Sequence, residues 1–340
     1  MFSPVCYLTE KDIIDTMGPA LRIGYVPEHF STPLYFAKKH FGLDAELIPF
    51  PSGTGHMVTA LRAGDIDVGI GLTEGWIAGL GKTEEGDGGY RLVGTYVETP
   101  LCGFDILQRR RVSRLTTTPG WAISTGKNRR EIHSVDSLKG GKIGVSRIGS
   151  GSYVMGYVLA DERDWLLPTV PVGPNTDSAP PFSDFVVLNT FENLRNAVNS
   201  GEADFFMWEH FTSKRYYDSG EIRRVGEIYT PWSSWKIVAS TTLFGQDDAL
   251  DPRVEDLFEE LNKGIKHFNE NQDEAVEYIS TALDYSAEDA REWLKTVRFP
   301  DRTQGVDQSV VDKTVSALRK AGVLSQFKGI QPEAMVAKRR

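Results

Sequence analysis

Ala60-Leu61-Arg62-Ala63-Gly64-Asp65-Ile66-Asp67-Val68 and, further on, Ala197-Val198-Asn199-Ser200-Gly201-Glu202-Ala203-Asp204-Phe205 follow one plan: a helix closed by glycine, two acids around one residue, then a strand. Upstream of each, a strand carrying Ile-Gly (Ile23-Gly24-Tyr25 and Ile143-Gly144-Val145) runs into a polar turn and an apolar helix. Strand, helix and strand in that order imply parallel pairing, because parallel neighbours need a crossover and a helix is the usual one. The chain is therefore expected to hold two similar α/β units. Two like lobes leave a cleft between them, and clefts are where small ligands bind.

Size points the same way. At 340 residues the chain exceeds the roughly 250–300 residues at which a single hydrophobic core stops growing. Its formal net charge of −9 argues against nucleic acid as a partner, since that affinity comes mainly from Lys and Arg neutralising phosphates. Arg109-Arg110-Arg111 and Lys338-Arg339-Arg340 read as short solvated runs. No segment approaches the ~20 apolar residues of a membrane span, and Glu10, Lys11 and Asp12 break the apolar core a secretory signal needs. A cytoplasmic protein without nucleic-acid or membrane partners is expected. Cys6 and Cys102, far apart and outside any CxxC spacing, indicate neither a disulfide framework nor a zinc cluster. The sequence assigns no cofactor and no metal.

Along the chain, a first lobe is expected from residues 1–100 plus 236–340 and a second from 101–235. In the first, Leu21 to Tyr25 reads as a strand, with Thr32 capping a helix that opens on Pro33 and stops at Gly42. A strand from Glu46 to Phe50 feeds Ser52-Gly53-Thr54-Gly55 and a second helix; Ile66 to Leu72 is a buried strand. Leu92 to Leu107 reads as a long strand, interrupted at Pro100 and Gly103, that crosses into the second lobe. There, Lys142 to Val145, Phe185 to Leu188 and Asp204 to Trp208 are strands, Asn189 and Thr190 cap a helix, and residues 168 to 184, with five prolines, form a surface excursion. The return crossing falls at Thr230 to Trp235, with a strand from Lys236 to Thr242. After it, Asp251-Pro252 opens a helix with Val254, Leu257, Phe258, Leu261, Ile265 and Phe268 at helical spacing, and Ser286 with Asp289 makes a capping pair for another. These helices are expected to cover the first lobe's sheet.

On Gly64-Asp65-Ile66-Asp67-Val68-Gly69, Ser137-Leu138-Lys139-Gly140-Gly141-Lys142-Ile143-Gly144-Val145 and Arg147-Ile148-Gly149-Ser150-Gly151-Ser152, the chain resembles the type II periplasmic-binding-protein fold. Within it, the likeness is to the sulfonate-, nitrate- and taurine-binding branch that includes the fungal thiamine-pyrimidine synthases, and above all to cytosolic fungal members. The resemblance spans roughly residues 20 to 300. It implies two α/β lobes, each a mainly parallel sheet flanked by helices, joined by two strands and closing on a small molecule. With only Cys6 and Cys102, the chain departs from the cysteine-rich iron motif of the pyrimidine synthases.

In open parallel sheets the ligand crevice lies beyond the carboxyl ends of the strands. The turns there are Glu28-His29-Phe30-Ser31-Thr32, Ser52-Gly53-Thr54-Gly55-His56, Arg147-Ile148-Gly149-Ser150-Gly151-Ser152 and Asn189-Thr190. Each precedes a helix whose first N–H groups lack intrahelical partners and suit a carboxylate, sulfonate or phosphate. Arg147 can add a charge-assisted contact. For Thr32 and Asn189 a plain capping role stands beside the ligand role; the two glycines and two serines of Gly149 to Ser152 exceed what a cap requires, although no Walker lysine follows. Leu72-Thr73-Glu74-Gly75-Trp76 and Trp208-Glu209-His210 place acids and aromatics at matching points of the two lobes, able to bind an amine or aminopyrimidine and to stack on a ring. The bland reading is exposed acids and core tryptophans. Trp232 and Trp235 either line the cleft wall or pack the hinge. Of the six histidines, His29 and His56 fall in cleft turns.

The expected function is binding of a small polar, anionic or heteroaromatic ligand by lobe closure. The alternative is an enzyme of thiamine-pyrimidine-type metabolism using His29 or His56 with a cofactor, although HExxH and GxSxG are absent.

Overall fold

A computed structural model of the chain describes residues 18–84, 86–99, 121–166, 181–230, 232–320, 322–326 and 328–338. Its strands fall into two five-stranded sheets. The first contains β1 (Leu21–Tyr25), β2 (Ala45–Pro49), β3 (Val68–Leu72), β4 (Tyr90–Val97) and β10 (Trp235–Ser240), ordered β2-β1-β3-β10-β4. The second contains β5 (Trp121–Gly126), β6 (Lys142–Val145), β7 (Asp184–Val187), β8 (Phe205–Glu209) and β9 (Ile222–Ile228), ordered β7-β6-β8-β5-β9. The two orders match strand for strand. β1 runs parallel to β2 and β3, as β6 does to β7 and β8, while β10 and β5 lie antiparallel at equivalent places. Antiparallel β10 is the return strand expected near residue 236, and it starts one residue early, at Trp235.

The repeated motif has a structural cause. Gly64 and Gly201 end their helices with φ of +75° and +83°, the left-handed conformation that suits glycine. The second acid of each pair then clasps the amino edge of its sheet. Asp67 accepts from the Arg22 backbone N–H at 2.9 Å and from the Arg22 guanidinium at 2.7 Å; Asp204 accepts from the Lys142 N–H at 2.7 Å and from Arg129 at 2.5 Å. Burial works to raise both carboxyls, but these hydrogen bonds outweigh it and hold each below its ordinary range.

Helices α1 (Thr32–Phe41), α2 (Thr54–Ala63) and α3 (Thr73–Gly81) belong to the first lobe, and α4 (Gly151–Glu162), α5 (Phe191–Ser200) and α6 (His210–Asp218) to the second. Ile23, Val68, Ile70 and Ile237 of the first sheet and Ile143, Val145, Phe205 and Met207 of the second are almost fully buried in one continuous apolar cluster; each such side chain contributes roughly 1.5–3 kcal/mol. Thr32, expected as a cap, is already helical, because a tight turn over His29–Ser31 leads straight into α1 and its hydroxyl donates to the His29 carbonyl at 2.7 Å. Thr190 alone caps α5; Asn189 takes φ +64° instead. After β10 come α7 (Pro252–Glu270), α8 (Gln272–Ala282), α9 (Ala287–Leu294), α10 (Gln308–Lys320) and the short α11 (Pro332–Met335). Asp251 and Ser286 cap α7 and α9 as expected. α7 packs on α1. The helices also reach the second lobe, through Tyr285 to Thr212 at 3.0 Å, Lys214 to Asp289 at 3.1 Å and Lys320 to Asp161 at 2.8 Å.

The sequence reading left β5 and β9 unassigned. Cys6, Cys102, Arg109 to Arg111, Arg339, Arg340, the stretch from Pro100 to Leu107, and residues 168 to 180 of the proline-rich excursion lie outside the described residues. Among the described residues no helix is long and apolar enough to cross a membrane.

Candidate functional site

The carboxyl ends of both sheets face one another across a cleft of about 550 Å³, mouth included. From the first lobe come Val26, Glu28 and Phe30 after β1, Pro51 to Thr54 after β2, Leu72 at the end of β3 and Trp235 at the start of β10. The second lobe contributes Trp121 at the start of β5, Ser146, Arg147 and Ser150 to Ser152 after β6, and Trp208 and Glu209 at the end of β8. The wall is an aromatic frame that carries polar groups from both lobes.

Two amide-rich turns contribute to it. Ser150 caps α4, accepting from the Tyr153 N–H at 3.3 Å, and its hydroxyl lies 3.0 Å from that of Ser152. Thr54 opens α2 and accepts the Leu72 N–H at 2.8 Å, which ties the turn to β3. Arg147 reaches across the cleft from the second lobe and donates to the carbonyls of Ser52 and, at 3.0 Å, of Gly53. Gly55 makes room for it, because a Cβ there would stand 2.7 Å from Arg147 Nε. Burial lowers the Arg147 pKa from its usual range, yet a guanidinium stays charged in any protein setting. Its Nε, the Trp121 Nε1 and the Trp235 Nε1 are buried donors without an acceptor among the described residues.

Two carboxyls also stand on the wall, one from each lobe. Glu28 is pushed up to about 8 by burial and then by the facing Glu209, against a hydrogen bond from Trp208. Burial also lifts Glu209 to about 7, against hydrogen bonds led by the Thr212 N–H, 2.7 Å away. A pair of carboxyls poised near neutrality can accept hydrogen bonds when ionised and donate one when protonated.

Of the residues singled out from sequence, Ser52, Gly53, Thr54, Arg147, Ser150, Gly151, Ser152 and Glu209 therefore stand on the cleft wall. The others stand elsewhere. His29 is 1% exposed behind the wall, packed on Phe30, Tyr285 and Trp293, with its Nε2 3.9 Å from Glu209 Oε1. Burial drops its pKa well below the usual value, so the ring is neutral. Ser31 donates to the Glu28 carbonyl at 2.7 Å and Thr32 to that of His29, so both hydroxyls serve the turn. Thr73 donates to the Ser233 carbonyl at 2.5 Å. Glu74 is fully buried, accepts from Trp232 Nε1 at 2.9 Å, and is raised by burial to about 7. Trp76 is a core residue lying edge-on to Tyr90. Gly55 sits against Arg147, and exposed His56 lies edge-on to Phe50. Gly149 turns the chain at φ +82° before α4, while Asn189 is exposed. His210 is half-buried against Phe211 and Tyr217 and held at about 4 by burial.

The sequence reading did not select Trp121; it put Glu28 in a cleft turn and Trp208 at a strand tip able to stack on a ring without naming either as a ligand contact, and it left Trp235 between cleft and hinge. Glu28 and Trp208 each adjoin a residue that was chosen, and side-chain alternation was the available signal. For Trp121 the signal was the apolar run from Trp121 to Ile123 after Pro119-Gly120.

Residues 121–228 match the model of the family described as Ca3427-like PBP. The chain is similar to a solved structure from Candida albicans, described as the CA3427 gene product that defines a new family with the generic periplasmic binding protein fold; identity is 39%, 94% of each chain is covered and the TM-score is 0.76. It is similar in fold to the alkanesulfonate-binding protein SsuA from Xanthomonas axonopodis pv. citri bound to MOPS, at 17% identity, covering 93% of this chain and 97% of that one, with a TM-score of 0.65. The aliphatic sulphonate binding protein SsuA from Escherichia coli gives 16% identity, 94% and 98% coverage and a TM-score of 0.61. Comparison with curated proteins finds no match. With paired sheets of matching strand order, and 39% identity to the Candida protein over nearly the whole of both chains, this chain belongs to the Ca3427-like family of the periplasmic-binding-protein fold.

Proposed function

We propose that the protein binds a small molecule with an anionic group and a flat ring, and closes its two lobes on it. The observation that carries this reading is the set of unpartnered donors on cleft residues from both lobes: Trp121 Nε1, Trp235 Nε1 and Arg147 Nε. A buried donor without an acceptor costs about 1–3 kcal/mol, and anionic oxygens held between the lobes would supply acceptors to each. The amide-rich starts of α2 and α4 favour the same charge. Indole and phenyl faces of Trp121, Trp208, Trp235 and Phe30 suit the ring, and the Glu28–Glu209 pair suits its N–H groups. The Xanthomonas and Escherichia coli proteins of this fold are described as sulfonate binders, which makes sulfonates the first compounds to try. A cytosolic setting, expected from the sequence, is part of the proposal; fractionation of cells carrying a tagged copy tests it.

Thermal shift against alkanesulfonates, heteroaromatic phosphates such as pyridoxal phosphate, and aminopyrimidines tests the binding, with native mass spectrometry of freshly isolated protein beside it. A saturable rise in Tm is expected, since ligand at 100 times its Kd stabilises by about 2.7 kcal/mol. A flat response to the whole panel, with no retained molecule in the mass spectrum, refutes it.

A second reading, an enzyme of thiamine-pyrimidine-type metabolism, is favoured by one observation: Glu28 and Glu209 titrate near neutrality, where a general acid or base works best. Neither His29 nor His56 is among the residues lining the cleft. Ligand recovered chemically unchanged supports the binding protein; turnover lost in Glu209→Gln supports the enzyme.

A further inference from the structure

On the flank of the first lobe, away from the cleft, three helix ends meet. His40 lies in the last turn of α1, His267 in the last turn of α7 and Glu274 in the first turn of α8. The break at Asn271 folds α8 back, so that Glu274 Oε2 meets His267 Nε2 at 2.7 Å while its Oε1 meets His40 Nε2 at 2.8 Å. The two imidazole rings are 4.4 Å apart, centroid to centroid.

We propose that His40, His267 and Glu274 form a binding site for a divalent transition metal, zinc above all, with a fourth position left to water. Two imidazoles and a carboxylate are a donor set that zinc takes with an open position. One donor atom from each residue lies within 4.8 Å of the others. Tetrahedral zinc at its usual bond lengths wants donors about 3.3 Å apart, so the two hydrogen-bonded His–Glu pairs, now at 2.8 and 2.7 Å, would spread by about half an ångström as the ion enters between them. Phe36 and Phe41 brace the rings, at 5.1 and 5.8 Å from His267 and 5.6 and 6.2 Å from His40.

Two groups must yield. Lys39 Nζ lies 2.7 Å from Glu274 Oε1 and competes as a cation, but its side chain is 44% exposed and free to swing into water. Asn271 Nδ2 lies 3.2 Å from His267 Nδ1. For His267 to bind metal through Nε2, Nδ1 must carry the proton, and Asn271 must turn its amide oxygen toward it, giving up the bond its Nδ2 donates to the His267 carbonyl at 2.9 Å for the supporting role such neighbours play at zinc sites. The bound ion would pin the end of α1 about 15 Å from the end that carries Phe30 to the cleft, stiffening the first lobe without touching the ligand.

The test is titration of the metal-stripped full chain with zinc chloride by calorimetry, and with cobalt chloride by visible absorption. One equivalent should bind, cobalt should give the strong visible bands of a tetrahedral site, and zinc should bleach them. His40→Ala and Glu274→Gln should each weaken zinc about tenfold or more; Lys39→Ala should tighten it; His133→Ala, remote and exposed, should change nothing. Absence of cobalt bands, or zinc affinity within twofold of wild type in both His40→Ala and Glu274→Gln, overturns the proposal. Because none of these residues lines the cleft, failure here leaves the small-molecule reading untouched.

Discussion

Lobe closure should depend on pH, and the facing carboxyls set the sign. If separating the lobes returns Glu28 and Glu209 to water, they regain their ordinary 4.5 there; together they rise to about 8 and about 7, chiefly through burial. The closed form therefore holds protons that the open form has released. Closure is strongest below about pH 4.5, loses ground as pH rises, and reaches its weakest above about pH 8. For Glu209 alone, moving from 4.5 to about 7 corresponds to about 3–4 kcal/mol, at 1.36 kcal/mol per pH unit. That is roughly a three-hundredfold change in the ratio of closed to open molecules across the full titration. Glu28 acts in the same direction but titrates as one system with Glu209, so the two are not summed. Small-angle scattering, or energy transfer between dyes placed on the two lobes, reads the change between about pH 5 and about pH 8.5. Ligand-free protein should open as pH rises; Glu209→Gln, which keeps a neutral hydrogen-bonding group, should flatten part of the response, and the Glu28→Gln/Glu209→Gln double variant most of it. A lobe separation indifferent to pH, or a Glu28→Gln/Glu209→Gln double variant with the wild-type profile, would refute this reasoning.

Arg147→Ala removes charge-assisted bonds to the Ser52 and Gly53 carbonyls, each worth about 1.5–3 kcal/mol, and should open the ligand-free protein in scattering. Gly55→Ala should do part of the same by crowding Arg147, and adding it to Arg147→Ala should open the lobes no further; an additive double variant would break the link. Trp232→Phe leaves fully buried Glu74 without its indole donor; a loss of about 1–3 kcal/mol is expected in urea unfolding, smaller below pH 7, where Glu74 takes up its proton. Asp67 and Asp204 are held below their ordinary 3.8, so their stabilisation is present above that pH and lost as pH falls through the folded-state values. Asp67→Asn and Asp204→Asn should each lower Tm at neutral pH and blunt acid unfolding, which circular dichroism against pH will register.

The repeated glycine and acid pair revealed the two-lobe fold because every residue in it has a backbone duty: Gly64 and Gly201 must turn left-handed, and Asp67 and Asp204 must clasp a strand. Such duties leave the same letters wherever the same geometry recurs. Turns after parallel strands were legible for the same reason, which is why Ser52 to Thr54 and Ser150 to Ser152 stand on the wall. Direction within a turn was not. In Glu28-His29-Phe30 the outer two side chains face the cleft and the middle one enters a packed aromatic nest, a choice made by Tyr285 and Trp293 from the far end of the chain. Glu74 and Glu209 look equivalent in sequence, yet Trp232 on the return crossing covers Glu74, while Glu209 remains on the wall. Trp121 went unread because β5 pairs antiparallel inside a mostly parallel sheet and repeats no earlier phrase.

Arg147 grips main-chain oxygens rather than any side chain of the opposite loop. The identity of residue 52 is thus invisible to the grip, and the loop is at liberty to vary there as long as position 55 carries no side chain. Among relatives of this chain, the fastening between halves would be inherited through an arginine and a missing methyl group; Gly53, at φ +81°, and Thr54, tied to β3, have duties of their own, and residue 52 is the letter left free to drift.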